Sequence, residues 1–510
     1  MNQKRERKIN LKALALVLAV MLGFAAFLGA ADAKNLKEEL VIAMRSDPKT
    51  IDPQRTIDVV SNKSIQLMYE SLLELDADLK LKPSLAEKWE RIDALSAVFY
   101  LKKGVKFHNG DEMTSEDVVF SLERGKVSPQ CKFEFDSFDK IEAIDKYTVK
   151  VTTKEPFGVL FDNVASTHGG IINKRAYLEN GEDTITKAVG TGPYKLKDWF
   201  AGDRITFEAF DGYWGDPVKI KKITIRTIPE QANRTIALET GEADMSFDIS
   251  LQDKDAILAN KKLVLMEVES PSEWYLGFDQ TNPRYQNKKL RQAIACAVDN
   301  KVFVDTVFRG SAVAATSPLP KACPDHIDVD TWEYNPERAK ELLKEAGYPN
   351  GLDIELWVND DQTRIDICVI MQDALKAIGI NAEIKVFEWG AYISRTAQPN
   401  KELYFLSWNT TGDGDAHMYP LFHSSQHGSS GNRSYFTNAE IDALIEKGRH
   451  SVNPEERTGI YHTLQKMLNE ELPHYTVVYP MLSLAMTNKV KGLIFKKNGY
   501  VDLRHTYIEK

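Results

Sequence analysis

Residues 85–124 read LAEKWERIDALSAVFYLKKGVKFHNGDEMTSEDVVFSLER, and this stretch decides the fold class. Val98, Tyr100 and Lys102 alternate with Phe99, Leu101 and Lys103, the period of a half-buried strand. Asn109-Gly110 is a turn dipeptide, because both residues tolerate positive φ. Thr114 stands three residues before Asp117, a capping-box spacing, ahead of the apolar run Val118, Val119, Phe120 and Leu122. A strand therefore enters a basic turn and leaves it as a helix, which predicts an α/β protein.

Working outward, the 510 residues exceed one ordinary core, and two or three domains are expected. A hydrophobic content of 43% with 27% charged residues describes a globular chain rather than a disordered or fibrous one. The first residues read as a targeting segment. Lys4, Arg5, Arg7, Lys8 and Lys12 precede an uncharged apolar run, residues 13–31, and Ala31-Asp32-Ala33 fits a small-residue cleavage site before Lys34. Retention of that run as a membrane anchor is the competing reading. A lipid-anchored form would need a cysteine directly after it, and the first is Cys131. Removing residues 1–33 takes away five basic and two acidic side chains, so the net charge moves from -9 to -12. An acidic chain without a long basic block is a poor partner for nucleic acid or an anionic membrane. Cys131, Cys296, Cys323 and Cys368 form no CxxC and no zinc-finger cluster. They allow two disulfides in any of three pairings, or buried free thiols.

The rest of the chain alternates strand and helix. A short apolar strand at 40–43 leads into a loop with Asp47-Pro48 and Asp52-Pro53. Gly190-Thr-Gly-Pro-Tyr194 opens a section that closes on Gly241-Glu-Ala-Asp244. Asn335-Pro336 and Asn453-Pro454 each read as an N-cap followed by proline at the first helical position, and Thr437 with Glu440 as a capping box. A strand at 352–358, a helix at 363–378 and a strand at 381–388 imply a parallel pair with a right-handed crossover. A further strand, 401–408, runs into Asn409-Thr-Thr-Gly-Asp-Gly-Asp-Ala-His417, and the tail 476–510 is expected to return to the first half.

The order Leu-Ala-Glu-x-Trp, then Lys-Gly-Val-Lys-Phe-His-Asn-Gly, then the capping box resembles the signature region of the bacterial family 5 solute-binding proteins, the peptide- and nickel-binding subunits of ABC importers. The opening strand and loop, and the run from Gly190 to Asp244, resemble the same family. The resemblance implies a two-lobe periplasmic binding protein, type II and cluster C-like, with an extra inserted subdomain. Lobe 1 would comprise 34–78, 190–285 and 485–510, the inserted domain 79–189, and lobe 2 286–484. It implies a protein without a cofactor that closes on a short peptide and delivers it unchanged to a membrane permease; a monomer is the default, since the sequence gives no sign of an oligomer. Glutathione, a nickel or iron chelate and haem are the alternative ligands; a secreted hydrolase is the distant alternative.

For that hydrolase the residues offer little. G-x-S-x-G, H-E-x-x-H and P-loop motifs are absent from the sequence. His417, His423 and His427, with Asp413 and Asp415 upstream, form the one candidate metal constellation, although Tyr419-Pro-Leu-Phe422 between them reads as a packed helix start. Ligands of α/β sheets lie outside the carboxyl ends of strands. By resemblance, Trp408, Asn409, Thr410 and Thr411 line the cleft. Dipeptide-binding members carry an aspartate three residues after this tryptophan to pair with the ligand ammonium; here that position is Thr411, which leaves Asp413 and Asp415 as substitutes. Arg364 matches the family's carboxylate-binding arginine. Trp274, Tyr275 and Trp389 are candidates to stack on the ligand, and Ile57 and Asp58, beyond the opening loop, to approach it. His168, before two glycines, is a candidate to reach the same cleft.

Overall fold

The structure is a computed structural model that describes residues 36–181, 188–330 and 332–510. The expected leader, residues 1–33, and Lys34 lie outside the described residues. Among the described residues no helix is long and apolar enough to cross a membrane.

The stretch 85–124 folds as its pattern dictates. The strand Ser96–Leu101 is the second of a four-stranded antiparallel sheet, between Ala86–Arg91 and Thr148–Thr153. Phe99 and Leu101 are buried while Val98 and Tyr100 are half-buried, so the alternation is real. Gly110 sits at φ +90° in the turn. The Thr114 backbone N–H donates to Asp117 Oδ2 at 2.9 Å, which starts the helix Ser115–Val127. That helix buries Val118, Ser121, Leu122 and Gly125, one stripe at helical spacing. With Phe107, Phe135 and Phe138 they form the core of this inserted region.

A twelve-stranded mixed sheet runs through the rest of the molecule. One half is built on Glu39–Met44, which pairs in parallel with Lys222–Thr227 and Met245–Phe247. The other is built on Leu352–Asn359, parallel to Ile380–Phe387 with Leu352 opposite Ile380, and crossed by the helix Gln362–Ala377. This is the expected strand-helix-strand unit. Each half has its own core, one around Leu40, Phe207 and Ile223, the other around Leu356, Ile367 and Phe405. Two lobes follow from two cores, since each buries its own apolar faces.

The 14-residue strand His474–Thr487 belongs to both halves. Its first part pairs with Ser272–Gly277, its last part with Met245–Phe247 and Leu263–Glu269. The tail thus returns to the first half as expected. Ser272–Gly277 pairs with Leu403–Asn409, and Leu276 shares the core of Leu356, so this strand packs with the second half. The Asn-Pro caps are present: Asn335 accepts from the Arg338 N–H, and Asn453 from Glu455 and Glu456. Thr437 is not a cap. Asn438 is, because its carboxamide oxygen reaches the N–H groups of Glu440 and Ile441 at 3.0 and 3.2 Å. All four cysteines are free and buried, with no disulfide among them.

Candidate functional site

A cavity of about 1280 Å³ lies between the halves, walled by residues of the first lobe and inserted region on one side and of the second lobe on the other. The strand Leu403–Asn409 delivers Trp408 and Asn409 to it at its carboxyl end. The chain then turns: the Thr410 N–H donates to the Pro271 carbonyl at 2.9 Å, Gly412 takes φ +107°, and Asp415 begins the helix Asp415–Phe422. Trp408, Asn409, Thr410, Thr411, Asp413, Asp415 and Ile57 all line the cavity, and so does His168.

The carboxylates of this wall have neighbours of their own. Asp413 is gripped by both terminal nitrogens of Arg457 at 2.7 and 2.6 Å, a bidentate pair. Asp415 faces Arg449 at 3.5 Å; burial pushes its carboxyl up to about 6 despite that cation. Asp325, raised by burial, accepts from Thr458 at 2.8 Å. From the opposite side the helix Leu160–Ala165 presents Asp162, whose carboxyl is pushed up to about 7, first by burial and then by Asp413. Elsewhere in the cavity Arg504 binds Glu74 at 3.1 and 3.0 Å and also Asp502. Glu70 is raised to about 7 by burial, although Trp214, Tyr213 and Thr191 all donate to it.

His168 sits 2.8 Å from Glu134 through Nδ1 and 2.8 Å from the Thr56 carbonyl through Nε2. Both neighbours accept, so satisfying both requires the doubly protonated ring. Its pKa is accordingly raised: burial opposes the charge, and Glu134 with the Thr56 carbonyl outweighs it.

The two sides touch at the rim. The Gly158 N–H donates to the Arg449 carbonyl at 3.0 Å, and Glu155 meets His450 at 3.1 Å. A Cβ on Gly158 would lie 2.6 Å from the Ser451 carbonyl oxygen, and one on Gly412 would lie 2.6 Å from Leu79 Cδ1. The cleft is shut in this structure, with a glycine at two of its points of closest approach.

Five expected contacts are elsewhere. Arg364 does not line the cavity. Its guanidinium donates to Asn359 at 3.1 Å and Ser407 at 2.8 Å and lies over the rings of Trp274 and Trp389 at 4.9 and 5.7 Å. Successive strand residues face opposite sides of a sheet, and Ser407, opposite Trp274, precedes Trp408, so Arg364 and Trp274 share the side away from it, while Trp389 opens the helix Trp389–Thr396, whose Tyr392 packs with Trp408. Tyr275 is buried and stacks on His474 at 4.3 Å. Asp58 caps the helix Val59–Ile65, accepting from the backbone and hydroxyl of Ser61 at 2.8 Å.

The three histidines are likewise dispersed. His417 is fully buried, 3.2 Å from Glu273 Oε1, and His474 reaches the same oxygen at 3.3 Å. Burial would raise Glu273, but His474 and His417 hold it down at about 2. His423 contacts Ser425 and Glu446, and His427 the Phe436 carbonyl. Pro420 lies inside the short helix that separates the rings, and among the described residues no group of three or more such side chains is arranged to hold a metal ion. Sequence reasoning missed Asp162, Asp325, Arg449 and Arg457. They converge from three distant segments, and no local motif marks them.

The family description "Bacterial extracellular solute-binding proteins, family 5 Middle" matches residues 80–429. The glutathione-binding protein GsiB of Escherichia coli K12 is 30% identical over 93% of this chain and 95% of its own length. Among solved structures, DppA of Helicobacter pylori in complex with the peptide STSA superposes with a TM-score of 0.77 at 27% identity, covering 94% of this chain and all of that one. HbpA2 of Haemophilus parasuis superposes at 0.84 with 27% identity, covering 92% of this chain and all of that one. With a two-lobed α/β fold around a closed cleft and these matches over nearly its whole length, the chain belongs to the bacterial extracellular solute-binding proteins of family 5, the solute-capturing subunits of ABC importers.

Proposed function

We propose that the protein captures short peptides, glutathione among them, by closing its lobes, and hands them unchanged to a membrane permease. The observation that carries this reading is the cleft itself: about 1280 Å³, walled by both halves, with charged groups of both signs on its surface. A typical small-molecule site measures roughly 300–1,000 Å³. A tripeptide with bridging water suits the larger space, and termini of both charges suit its walls. GsiB binds glutathione and the Helicobacter DppA holds STSA, two ligands of this size class. We read the division as a first lobe interrupted by the inserted domain, with a second lobe from about Pro271; the two cores and the shared strand His474–Thr487 support it. The protein acts as a monomer in the periplasm after loss of residues 1–33, and it makes or breaks no bond in its ligand.

Capture outside the cell calls for a Kd near micromolar or tighter, about 8 kcal/mol. Native mass spectrometry of protein purified without refolding, followed by calorimetry with glutathione and tri-alanine, tests the reading. A peptide-sized mass and a micromolar Kd are expected. Binding of a nickel chelate or haem in place of both peptides, or recovery of a cleaved peptide, refutes it.

A further inference from the structure

We propose that Asp162, on the inserted domain, is the anchor for a positively charged amino group of the ligand, which it holds against Asp325 and Asp413 of the second lobe. The inference rests on the peptide reading above and names which end of the ligand goes where. It starts from a charge imbalance. Asp162, Asp325, Asp413 and Asp415 meet at one end of the cavity; the cations among them are Arg449 and Arg457, and the titratable His462 stands near Asp325. Arg457 is committed: both terminal nitrogens bind Asp413, and its Nε donates to the Gly448 carbonyl at 3.2 Å. Arg449 lies over the Tyr419 ring at 3.8 Å and 3.5 Å from Asp415. Arg91 donates one terminal nitrogen to the Phe157 carbonyl and lies over Phe161, with its other terminal nitrogen buried and unpartnered. Among the described residues no side-chain cation forms an ion pair with Asp162, and Arg457 acts on it only from its pairing with Asp413.

A second observation points the same way. Asp415, 6% exposed, lines the cavity with its Oδ1 buried and without a hydrogen-bond partner. Buried polar atoms are satisfied as a rule, so an orphaned carboxylate oxygen beside a cavity marks where a donor is missing. A ligand ammonium supplies three donors and the absent charge together. The elevated affinity of Asp162 for a proton is the signature of that absence, and an arriving cation would displace the proton. The position fits the departure at Thr411. The acid missing from the second lobe's loop is replaced by one that reaches across from the inserted domain, so the amino group bridges the two sides.

The test is calorimetry with glutathione, tri-alanine and their N-acetyl forms, in two buffers of different ionisation enthalpy, on wild type, Asp162→Asn and Asp162→Glu. At pH 6.5 the wild type should release up to one proton on binding either free-amine peptide, and its affinity should rise with pH through about 7. N-acetylation should weaken wild-type binding at least about tenfold. Asp162→Asn should lose the same factor and the proton release, while binding the N-acetyl peptides as the wild type does. Asp162→Glu should restore part of both. Thermal unfolding of the free proteins checks that each variant folds. Wild-type affinity and proton release in a folded Asp162→Asn, or equal affinity for acetylated and free peptides, overturns the anchor and leaves the peptide reading intact. Failure of all four peptides to bind the wild type sinks both.

Discussion

Replacing Gly158 with alanine should weaken ligand capture without weakening the fold. The residue sits where the inserted domain touches the second lobe. An added Cβ would lie 2.6 Å from the Ser451 carbonyl oxygen, 2.8 Å from Arg457 Nε and 3.1 Å from Arg457 Cδ. The side chain of Arg457 has some freedom, but the Ser451 oxygen is backbone, fixed just beyond the helix Ala439–His450. Gly158 has no positive φ, so alanine fits its own backbone conformation. The clash therefore exists in the closed form alone. Overpacking of this kind costs about 1–3 kcal/mol, and loss of the 3.0 Å bond to the Arg449 carbonyl adds about 1 kcal/mol where the two surfaces part. Since the penalty of about 2–4 kcal/mol falls on the binding-competent state, the apparent Kd should rise roughly 30- to 900-fold. Calorimetry measures the Kd, and small-angle scattering reports a more open average shape. The unfolding midpoint of the free protein should stay put, because no lobe core is touched. Gly459→Ala is the control: it is exposed inside the helix Pro454–Glu471 with nothing within 4 Å of the new Cβ. It should leave the Kd alone and stabilise by about 1 kcal/mol. An unchanged Kd and scattering curve for Gly158→Ala would refute the claim that this contact forms on closure.

Three other outcomes follow from buried groups. Glu273→Ala leaves His417 and His474 without their shared carboxylate in a fully buried site, and should cost about 3–5 kcal/mol in a urea melt; a loss below 1 kcal/mol would show that the carboxylate does not hold the two rings. His168 has a raised pKa in the folded protein, so its contribution to stability is complete below the unfolded value of about 6.5 and fades as pH climbs through the folded value. Stability should decline on that alkaline side, and His168→Gln should flatten this part of the profile; an equally steep profile in the variant would contradict the doubly protonated ring. A thiol reagent should modify none of the four cysteines in the native protein and all four in guanidinium, with no change in the melting curve on adding a reductant; fewer than four thiols after unfolding would reveal a disulfide.

How much of this was legible follows from the range of each signal. The strand, turn and helix of 85–124 could be read because their determinants act within a few residues: alternation for Phe99 and Leu101, positive φ for Gly110, and a cap three residues long at Thr114. The cleft-facing loop could be read because a strand end at Trp408 points to the ligand side in any such sheet. Arg364 went astray over parity. The resemblance sets it on the ligand carboxylate, whereas its partner Ser407 is one residue from Trp408 and so on the other face. Asp162 carried no signal at all, since its meaning lies in Asp413, some 250 residues away, and in the Arg457 that neutralises it.

Thr411, where the resemblance implies an aspartate, has a mechanical consequence that the sequence could not express. An acid on the second lobe's loop would let a ligand amino group bind fully to one lobe before closure, leaving the other wall to add only area. With Asp413 gripped by Arg457 and Asp162 across the gap, the amino group is neutralised only when the walls meet. The ligand then supplies part of the closing free energy itself, in the way a shared ion holds two charged surfaces. Gly158 and Gly412 allow the approach, and the ammonium rewards it. The two should be coupled: in a double-mutant cycle, Asp162→Asn should cost less in the Gly158→Ala background, where the walls no longer reach contact, than in the wild type. Strict additivity of the two losses would show that the carboxylate engages the ligand irrespective of closure, and the bridging role would fall.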